Sequence, residues 1–361
     1  MNILFRVDSS FDIGSGHVMR CLTIAKELRK VKNDITFICR KKNGDLIPLI
    51  KKKGFKVIVI NKKKDPSDKD KTSENIYKKW LGVSENQDAI DSINQIKNDY
   101  FNWLIVDHYS LSIKWENLLR KYSNKLMVID DLANREHDCD LLLDQNWFEN
   151  SVDRYKELVP KKTKLILGPK YALLRSEFRE MRVKPIIKSK ESVKLFVFFG
   201  GSDPLSLTSL TIKAINEFNK KELKAVIVIG KNNLEYKKIK KEAGLNKNIK
   251  LHIQVDNIAS LMANSDFAIG SAGANTWERI CLGLPSIIIS FAENHKILLK
   301  DLIKNNYVNY IGDYKEITVN KIKTSITAEI KMNRDQEISE LYSLADGKGV
   351  FRVANKIMNY N

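Results

Sequence analysis

Residues 1–20 read MNILFRVDSSFDIGSGHVMR, and this stretch decides the fold. Its apolar run Ile3–Val7 predicts a buried strand, and the amphipathic pattern of Val18–Val31 predicts a helix. The loop between them carries Gly14 and Gly16, which let the backbone approach a ligand closely. A strand, a glycine loop and a helix in this order predict the start of a parallel α/β sheet.

The same alternation of apolar runs and helical patterns continues along the chain. Apolar runs without strict alternation are typical of parallel strands that are covered on both faces. We therefore predict an α/β protein with two Rossmann-like, doubly wound domains that face a central cleft. The predicted strands are Ile3–Val7, Ile35–Cys39, Val57–Ile60, Trp103–Val106, Leu126–Ile129 and Leu141–Leu143, followed by Lys194–Phe199, Ala225–Ile229, Ile249–Ile253, Phe267–Ile269 and Ser286–Ser290.

Changes in composition predict the domain boundaries. The break between the domains lies in a stretch rich in Lys, Arg and Glu that carries Pro169 and Pro185. A polar insertion, Asn61–Glu85, is expected to be an exposed loop leading into a helix near Trp80. The predicted parts are a first domain 1–170, a linker 171–192, a second domain 193–340, and a helix within 341–361 that packs back on the first domain.

The charge of the chain is strongly positive. Its 361 residues include 62 Lys and Arg against 44 Asp and Glu, a net charge of +18. Nucleic acid or an anionic membrane would suit this excess. However, most of it is lysine in short runs, such as Lys51–Lys53 and Lys237–Lys241, without an arginine-rich stripe. This pattern favours a solvated surface, and we expect no nucleic-acid partner.

The four cysteines, Cys21, Cys39, Cys139 and Cys281, lie far apart and include no CxxC pair. Buried reduced thiols are therefore predicted rather than disulfides or a zinc ribbon. No apolar run approaches the roughly 18–20 residues that span a bilayer, and the strand-like start leaves no room for a signal peptide. We expect a cytoplasmic protein without stable membrane insertion.

The first chemical motif is the loop Gly14-Ser15-Gly16 followed by His17 and, one turn later, Arg20. The loop ends at a helix N-terminus, where free N–H groups and the positive end of the helix dipole favour anions. Because that dipole disfavours the imidazolium form, His17 is predicted to be a neutral base. The alternative is a histidine that only packs under the loop.

The second motif is Phe199-Gly-Gly-Ser-Asp-Pro204, which follows the first strand of the second domain. Gly201 and Ser202 are predicted ligand contacts. Ser202 or Asp203 is predicted as the N-cap of the next helix, with Pro204 at its first position. An ordinary βα turn would have the same sequence. The repetition of the first loop's layout favours a role for both loops in binding.

The third motif, SAGANTWERICLGLP, covers residues 271–285. Small residues at its start let backbone N–H groups face phosphates. Glu278 falls one turn into the helix, where its carboxylate can accept two hydrogen bonds from a ribose diol. The alternative is that Glu278 only interacts with the helix dipole. The predicted nucleotide contacts here are Ser271, Gly273, Ala274, Asn275, Thr276 and Glu278.

Together these motifs resemble GT-B enzymes that use UDP-sugars. Segments along nearly the whole chain resemble the UDP-2,4-diacetamido-2,4,6-trideoxy-β-L-altropyranose hydrolase family of pseudaminic acid biosynthesis, which is related to spore-coat polysaccharide proteins. The segments that narrow the resemblance to this family are LIVDHYSLSIKWE, VIDDLANREHDCDLLLDQN and LGPKYALLRSEFR.

The resemblance implies hydrolysis of a UDP-linked sugar to the free sugar and UDP, with inversion at C1. It implies a sugar and catalytic site in the first domain and a UDP site in the second. His17 would be the catalytic base, Asp107, His108 and Tyr109 would lie at the sugar ring, and the Val255 backbone would hold the uracil edge. The family commonly has Asn-Gln where this chain has Asn294-His295; Asn294 is a predicted substrate contact.

No DxD motif or metal-ligand spacing is apparent, so we expect no metal and no cofactor. UDP-sugar is the expected small-molecule partner, and a monomer is the default for this architecture. Two alternatives remain open. One is a GT-B glycosyltransferase that moves an amino-sugar from UDP to a sugar or lipid acceptor. The other is a binding module without catalysis.

Overall fold

In a computed structural model of the chain, the structure describes residues 1–61, 77–97, 99–182, 192–218, 222–231, 233–291, 293–332 and 335–360, without the side chains of 293–295. The chain divides into two compact units. Unit 1 consists of Met1–Leu173 and Val350–Asn361, and unit 2 consists of Leu174–Gly349. Most of the predicted insertion, residues 62–76, lies outside the described residues.

Unit 1 contains a parallel sheet, with seven strands in its described part. They are β1 (Asn2–Val7), β2 (Asp34–Arg40), β3 (Lys56–Ile60), β4 (Phe101–Asp107), β5 (Ser123–Ile129), β6 (Leu141–Asp144) and β7 (Lys164–Leu167). Their order in the sheet is β3-β2-β1-β4-β5-β6-β7. The order of the strands therefore reverses between β1 and β4.

The helices of unit 1 cover both faces of this sheet. They are α1 (Gly16–Lys30), α2 (Ile47–Lys52), α3 (Lys78–Leu81), α4 (Glu85–Ile96) and α5 (Ile113–Leu119), with 3-10 turns at Arg120–Tyr122, Asp153–Tyr155 and Pro169–Tyr171. Phe5 and Val7 of β1 belong to the same buried cluster as α1, whereas Leu4 belongs to the cluster of α4 and α5 on the opposite face. Burial on both faces is the physical reason for the uninterrupted apolar runs.

Unit 2 repeats this architecture. Its strands are β8 (Val193–Phe198), β9 (Leu223–Ile229), β10 (Ile249–Ile253), β11 (Phe267–Ser271), β12 (Ser286–Ser290) and β13 (Asn309–Asp313). Their order is β10-β9-β8-β11-β12-β13, all parallel. Its helices are α6 (Ser176–Arg182), α7 (Leu207–Ile215), α8 (Tyr236–Gly244), α9 (Ile258–Ala263), α10 (Ala274–Cys281), α11 (Glu293–Lys304), α12 (Val319–Lys331) and α13 (Asp335–Leu344), with a 3-10 turn at Tyr314–Glu316.

The last helix, α14 (Gly349–Met358), returns to unit 1. Its apolar residues Val350, Val353, Ala354 and Ile357 follow helical spacing and join the buried cluster that contains α1. After the helix, the Tyr360 hydroxyl donates to the carbonyl of Asp140 at 2.8 Å. The amphipathic pattern of α14 is therefore satisfied within the core of unit 1.

The prediction of two parallel α/β domains is confirmed, and so is every predicted strand. Strands β7 and β13 were not predicted. Both lie at sheet edges and carry short or polar-interrupted apolar runs, so their sequences show a weaker strand pattern. Within the predicted linker, Ser176–Arg182 forms α6 of unit 2, and residues 183–191 lie outside the described residues.

The prediction that Pro204 starts a helix is wrong, because α7 begins at Leu207. The carboxylate of Asp203 accepts the backbone N–H groups of Leu207 at 3.1 Å and Thr208 at 2.9 Å. Asp203 thus satisfies the free donors of the helix from four residues upstream. Residues 204–206 form a turn between this cap and the helix.

Candidate active site

In each unit, the predicted loops follow the two strands between which the strand order reverses. In unit 1, the His17 loop follows β1, and Asp107–Tyr109 lie at the end of β4, where Val7 and Asp107 are register partners. In unit 2, Gly200–Ser202 follow β8, and residues 271–276 end β11 and begin α10. Ligands of open α/β sheets bind beyond the carboxyl ends of strands at such a reversal. The fold therefore brings the motifs of each unit to its expected binding edge.

The centre of the unit 1 site is a hydrogen-bonded triad of His17, Arg20 and Asp107, in which Arg20 and Asp107 form an ion pair. The Nδ1 atom of His17 lies 2.6 Å from Oδ1 of Asp107. Arg20 binds the same carboxylate with two N–H groups, at 2.7 and 2.6 Å. His17 and Arg20 are one helical turn apart on α1, so one carboxylate can hold both side chains.

Asp107 is fully buried, and its carboxylate is ionised. Burial alone would raise its pKa, but Arg20 and His17 hold the pKa of Asp107 far below its usual range. An ionised carboxylate only accepts hydrogen bonds, so Nδ1 of His17 must donate. When the ring carries a single proton, Nε2 is then left as an acceptor. This is the atom that could take a proton from water.

A second carboxylate, Asp131, joins Arg20 to Tyr109. Its Oδ2 accepts from Arg20 at 2.7 Å and from the Tyr109 hydroxyl at 2.6 Å. Its Oδ1 accepts from Asn146 at 2.9 Å. Asp131 was not predicted as a site residue. It is the second residue after β5, the neighbour of β4, and a polar residue at that sheet edge is the signal that could have identified it.

Aromatic rings form one side of the site. The Tyr109 ring meets His17 edge-on, with centroids 4.5 Å apart. Trp80 stacks on Tyr109 at 5.5 Å and lies 6.2 Å from His17, and Tyr77 contacts both Trp80 and Tyr109. We call Tyr77, Trp80 and Tyr109 the aromatic wall. Only Tyr109 was a predicted site residue.

The other predicted residues of unit 1 differ in accessibility. Ser15 and Gly16 are exposed, and Gly14 is half-buried with φ of +78°, a conformation that favours glycine. His108 is buried, and its Nε2 lies 3.3 Å from Oδ2 of Asp8. Asp107 and His108 thus bind other protein groups beneath the surface, while the glycine loop is open to a ligand.

In unit 2, the third motif has the predicted layout of an anion-binding helix start. Gly273 has φ of +118°, and α10 begins at the exposed Ala274. Asn275 is half-buried, but Ser271 and Thr276 are buried. The hydroxyls of Ser271 and Thr276 are therefore covered and are poor candidates for direct ligand contacts.

The buried Arg279 binds the loop formed by residues 271–276. Arg279 donates to the Ser271 carbonyl at 2.8 Å and to the Thr276 hydroxyl at 3.2 Å. Burial lowers the pKa of Arg279 to about 10, and Glu278 raises it in part. Arg279 was not predicted, because a charged residue inside an amphipathic helix has no sequence signal that distinguishes it from a surface residue.

Glu278 lies on α10, and Arg175 is its charged partner at 3.4 Å. Burial raises the pKa of Glu278, and Arg175 opposes this effect. The Glu278 side chain is 14% exposed to solvent. The Glu278 side chain is therefore mostly covered but not fully buried.

The remaining predicted contacts lie in loops of unit 2. Gly201 is exposed and Ser202 half-buried, and a Cβ at Gly230 would lie 2.4 Å from the carbonyl oxygen of Gly201. Gly230 must therefore stay glycine for the Gly201 loop to keep its position. Val255 is half-buried in the loop after β10. The side chain of Asn294, at the start of α11, lies outside the described residues.

All four cysteines are buried and unpaired, as predicted. Within the described ranges, no three His, Cys, Asp or Glu side chains are grouped so as to hold a metal ion. In the same part of the chain, no helix has the length and apolar character needed to cross a bilayer.

Comparison with known proteins agrees with this geometry. Residues 195–346 match the model of the glycosyltransferase family 28 C-terminal domain. The UDP-2,4-diacetamido-2,4,6-trideoxy-beta-L-altropyranose hydrolase of Campylobacter jejuni is 31% identical over 308 residues, covering 85% of this chain and 98% of that protein. The spore coat polysaccharide biosynthesis protein SpsG of Bacillus subtilis is 24% identical over 208 residues, 55% of this chain and 60% of that protein.

Among solved structures, MurG of Acinetobacter baumannii has a TM-score of 0.64 at 13% identity, with 99% of each chain covered. The two parallel-sheet units, each with its loops at the strand-order reversal, thus define a protein of the GT-B fold. Within that class, the chain belongs to the UDP-2,4-diacetamido-2,4,6-trideoxy-β-L-altropyranose hydrolase family.

Proposed function

We propose that this protein hydrolyses a UDP-linked 2,4-diacetamido-2,4,6-trideoxy sugar, the β-L-altropyranose form, to the free sugar and UDP. The reaction would belong to pseudaminic acid biosynthesis and take place in the cytoplasm. The enzyme would be a monomer without a nucleic-acid partner. The observation that carries it is the 2.6 Å contact between His17 and the buried, ionised Asp107, in a chain of this hydrolase family.

In the proposed mechanism, Nε2 of His17 accepts a proton from a water molecule. The water oxygen forms a bond to C1 of the sugar as the bond from C1 to the diphosphate oxygen breaks, and UDP leaves with the electron pair. Attack opposite the leaving group inverts C1. Asp107 keeps the proton on Nδ1 and stabilises the imidazolium that forms.

Unit 2 is proposed to bind the uridine diphosphate. Backbone N–H groups at the start of α10, with those of Gly200–Ser202, would hold the charge of the diphosphate. The charge of the buried Arg279 beneath the loop adds to the attraction for the anion. The Glu278 carboxylate would accept hydrogen bonds from the two ribose hydroxyls. The Val255 backbone would contact uracil.

A glycosyltransferase remains the second candidate, because residues 195–346 match a glycosyltransferase domain and the fold is shared with MurG. In that reaction, a sugar or lipid hydroxyl would replace water at His17. The two functions differ in one measurable requirement, since the hydrolase releases UDP without an acceptor.

We expect the purified protein to release UDP from UDP-2,4-diacetamido-2,4,6-trideoxy-β-L-altropyranose with water as the only nucleophile. Proton NMR during the reaction should show the anomer opposite to that of the substrate as the first product. UDP release only after addition of a sugar or lipid acceptor would support the transferase instead. Binding without any release would support a non-catalytic module.

Replacing Glu278 by alanine is expected to weaken UDP binding about tenfold or more, because hydrogen bonds to a charged group each contribute roughly 1.5–3 kcal/mol. Calorimetry with UDP and 2′-deoxy-UDP tests the ribose contact directly. The wild type should prefer UDP, and Glu278→Ala should lose that preference. Glu235→Ala, which removes a half-exposed carboxylate just before α8, serves as the control that should keep the preference for UDP. An unchanged preference in Glu278→Ala would exclude the ribose contact.

A further inference from the structure

The aromatic wall of unit 1 contains one ring that is not buried. Tyr77 and Tyr109 are buried, whereas Trp80 is half-buried. Trp80 lies on α3, a short helix whose position is secured at both ends. The Ser110 hydroxyl donates to the carbonyl of Tyr77, and Nζ of Lys42 donates to the carbonyl of Leu81 at 2.9 Å. Trp80 thus presents an aromatic surface from a fixed backbone.

This surface lies beside the proposed base. The centroid of the Trp80 ring is 6.2 Å from that of His17, with the rings nearly perpendicular. A water bound to Nε2 would lie about 2.8 Å from that atom, and a reacting carbon about 3–3.5 Å beyond it. These distances are comparable to the separation of the two rings. Trp80 thus lies about as far from the His17 ring as the sugar that meets this water would.

The chemistry of the proposed substrate suits an indole. A 2,4-diacetamido-2,4,6-trideoxy sugar carries three methyl groups, one on each acetamido group and one at C6. UDP-N-acetylglucosamine carries one such methyl, and its C6 bears a hydroxyl. The hydroxyl of Tyr109 is bound to Asp131 at 2.6 Å, so the polar end of the wall is already paired. The face of the Trp80 ring is apolar and favours methyl groups.

We propose that Trp80 forms an apolar subsite for the methyl-bearing substituents of the sugar and thereby selects the diacetamido-trideoxy sugar over N-acetylglucosamine. This inference rests on the proposed function, since it names the part of the same site that determines which UDP-sugar is used. Trp80 acts here through contact with non-reacting groups of the substrate. One extra or missing carbon group in an apolar pocket typically changes discrimination roughly 10–200-fold.

The test compares wild type, Trp80→Ala and Trp80→Phe on two substrates, the UDP-diacetamido-trideoxy sugar and UDP-N-acetylglucosamine. Trp80→Ala should lower kcat/KM for the diacetamido sugar by about tenfold or more and change that for UDP-N-acetylglucosamine much less. Trp80→Phe should fall between, because it keeps an aromatic face. The Kd for UDP should be unchanged in both variants.

Tyr100→Ala is the matched control, since Tyr100 is an exposed aromatic residue just before β4, at the sheet edge opposite to His17. It should preserve both kcat/KM values. Equal losses on the two substrates in Trp80→Ala would assign Trp80 a purely structural role, and no loss would exclude the subsite. Either result overturns the inference while leaving the proposed function intact.

Binding separates this inference from failure of the proposed function. If the wild type hydrolyses neither substrate, the proposed hydrolysis fails, and calorimetry then compares binding of each UDP-sugar with that of UDP. A preference for the diacetamido sugar that is present in the wild type and reduced in Trp80→Ala still supports the subsite. A wild type that binds both UDP-sugars no better than UDP contradicts it.

Discussion

Replacing His17 by asparagine is expected to lower kcat by about 10²–10⁴-fold, the usual contribution of a positioned general base. Asparagine cannot accept a proton from water at neutral pH, although it can still hydrogen-bond to Asp107. The variant should bind UDP with an unchanged Kd, because the proposed UDP contacts all lie in unit 2. Single-turnover UDP release, combined with calorimetry for UDP, measures both effects.

His252→Asn provides a matched control for this substitution. His252 lies on β10 in unit 2, is half-exposed and is not part of the proposed site. Its kcat should stay near the wild-type value. Full activity in His17→Asn would remove His17 from the mechanism, and a parallel loss in His252→Asn would indicate a general effect of the substitution on stability.

Replacing Asp107 by asparagine is expected to lower kcat by a factor on the order of 10²–10⁴, even though Asp107 is buried and contacts no substrate in the proposed mechanism. An amide can donate to Nδ1 of His17, which would move the ring proton to Nε2 and remove the acceptor. The charge that stabilises the imidazolium would also be lost. Asp107 is thus a positioning residue. In Asp107→Asn, both the shape of the pH profile of kcat and the maximum value of kcat should change.

The same substitution should reduce stability by roughly 3–5 kcal/mol, because it leaves the buried Arg20 without one of the two carboxylates that pair with it. In the wild type, the pKa of Asp107 is lower in the folded than in the unfolded state. Its contribution to stability is therefore present above the unfolded value of about 3.9 and is lost as the pH falls below it. Denaturation by urea between pH 3 and 7 should show a flatter pH dependence in Asp107→Asn.

Asp88→Asn separates the catalytic from the stabilising effect. Asp88 is also fully buried and pairs with Arg6 at 2.9 Å and with Arg40 at 2.8 Å, but it lies on α4 and has no bond to His17. The Asp88→Asn variant should lose about as much stability as Asp107→Asn. At temperatures below its unfolding transition, it should keep most of the wild-type kcat. If Asp107→Asn lost no more activity than Asp88→Asn, the positioning role of Asp107 would be excluded.

Much of the fold could be predicted because its signals are local. The apolar runs of β1, β4, β8 and β11 and the amphipathic pattern of α14 each occupy a few consecutive residues. The edge strands β7 and β13 were not predicted, although the edge strands β3 and β10 were. The sequence NYIGD of β13 contains few apolar residues, because one side of an edge strand has no neighbouring strand. Asp203 does accept N–H groups at the start of α7, but the helix begins at Leu207 and not, as the sequence had indicated, at Pro204.

The site was predictable only in part. Glycine loops and His17 stand next to predicted strand ends, so their positions follow from the rule for parallel sheets. No comparable sequence signal identified Trp80 and Asp131 as site residues. Trp80 reaches His17 from a helix 63 residues along the chain, and Asp131 reaches Arg20 from 111 residues away. Their roles depend on which strands become neighbours, and sequence patterns do not specify side-chain contacts at that distance.

By itself, the sequence of this protein determined the two parallel sheets, the loops at their carboxyl ends and the candidate base His17, because apolar periodicity and glycine act over a few residues. Only the tertiary structure decided that Asp107 holds Nδ1 of His17 rather than lying open to a sugar. That carboxylate comes from 90 residues away, and it is buried and paired with Arg20. The same burial that makes a lone charge costly makes this paired carboxylate able to orient the histidine.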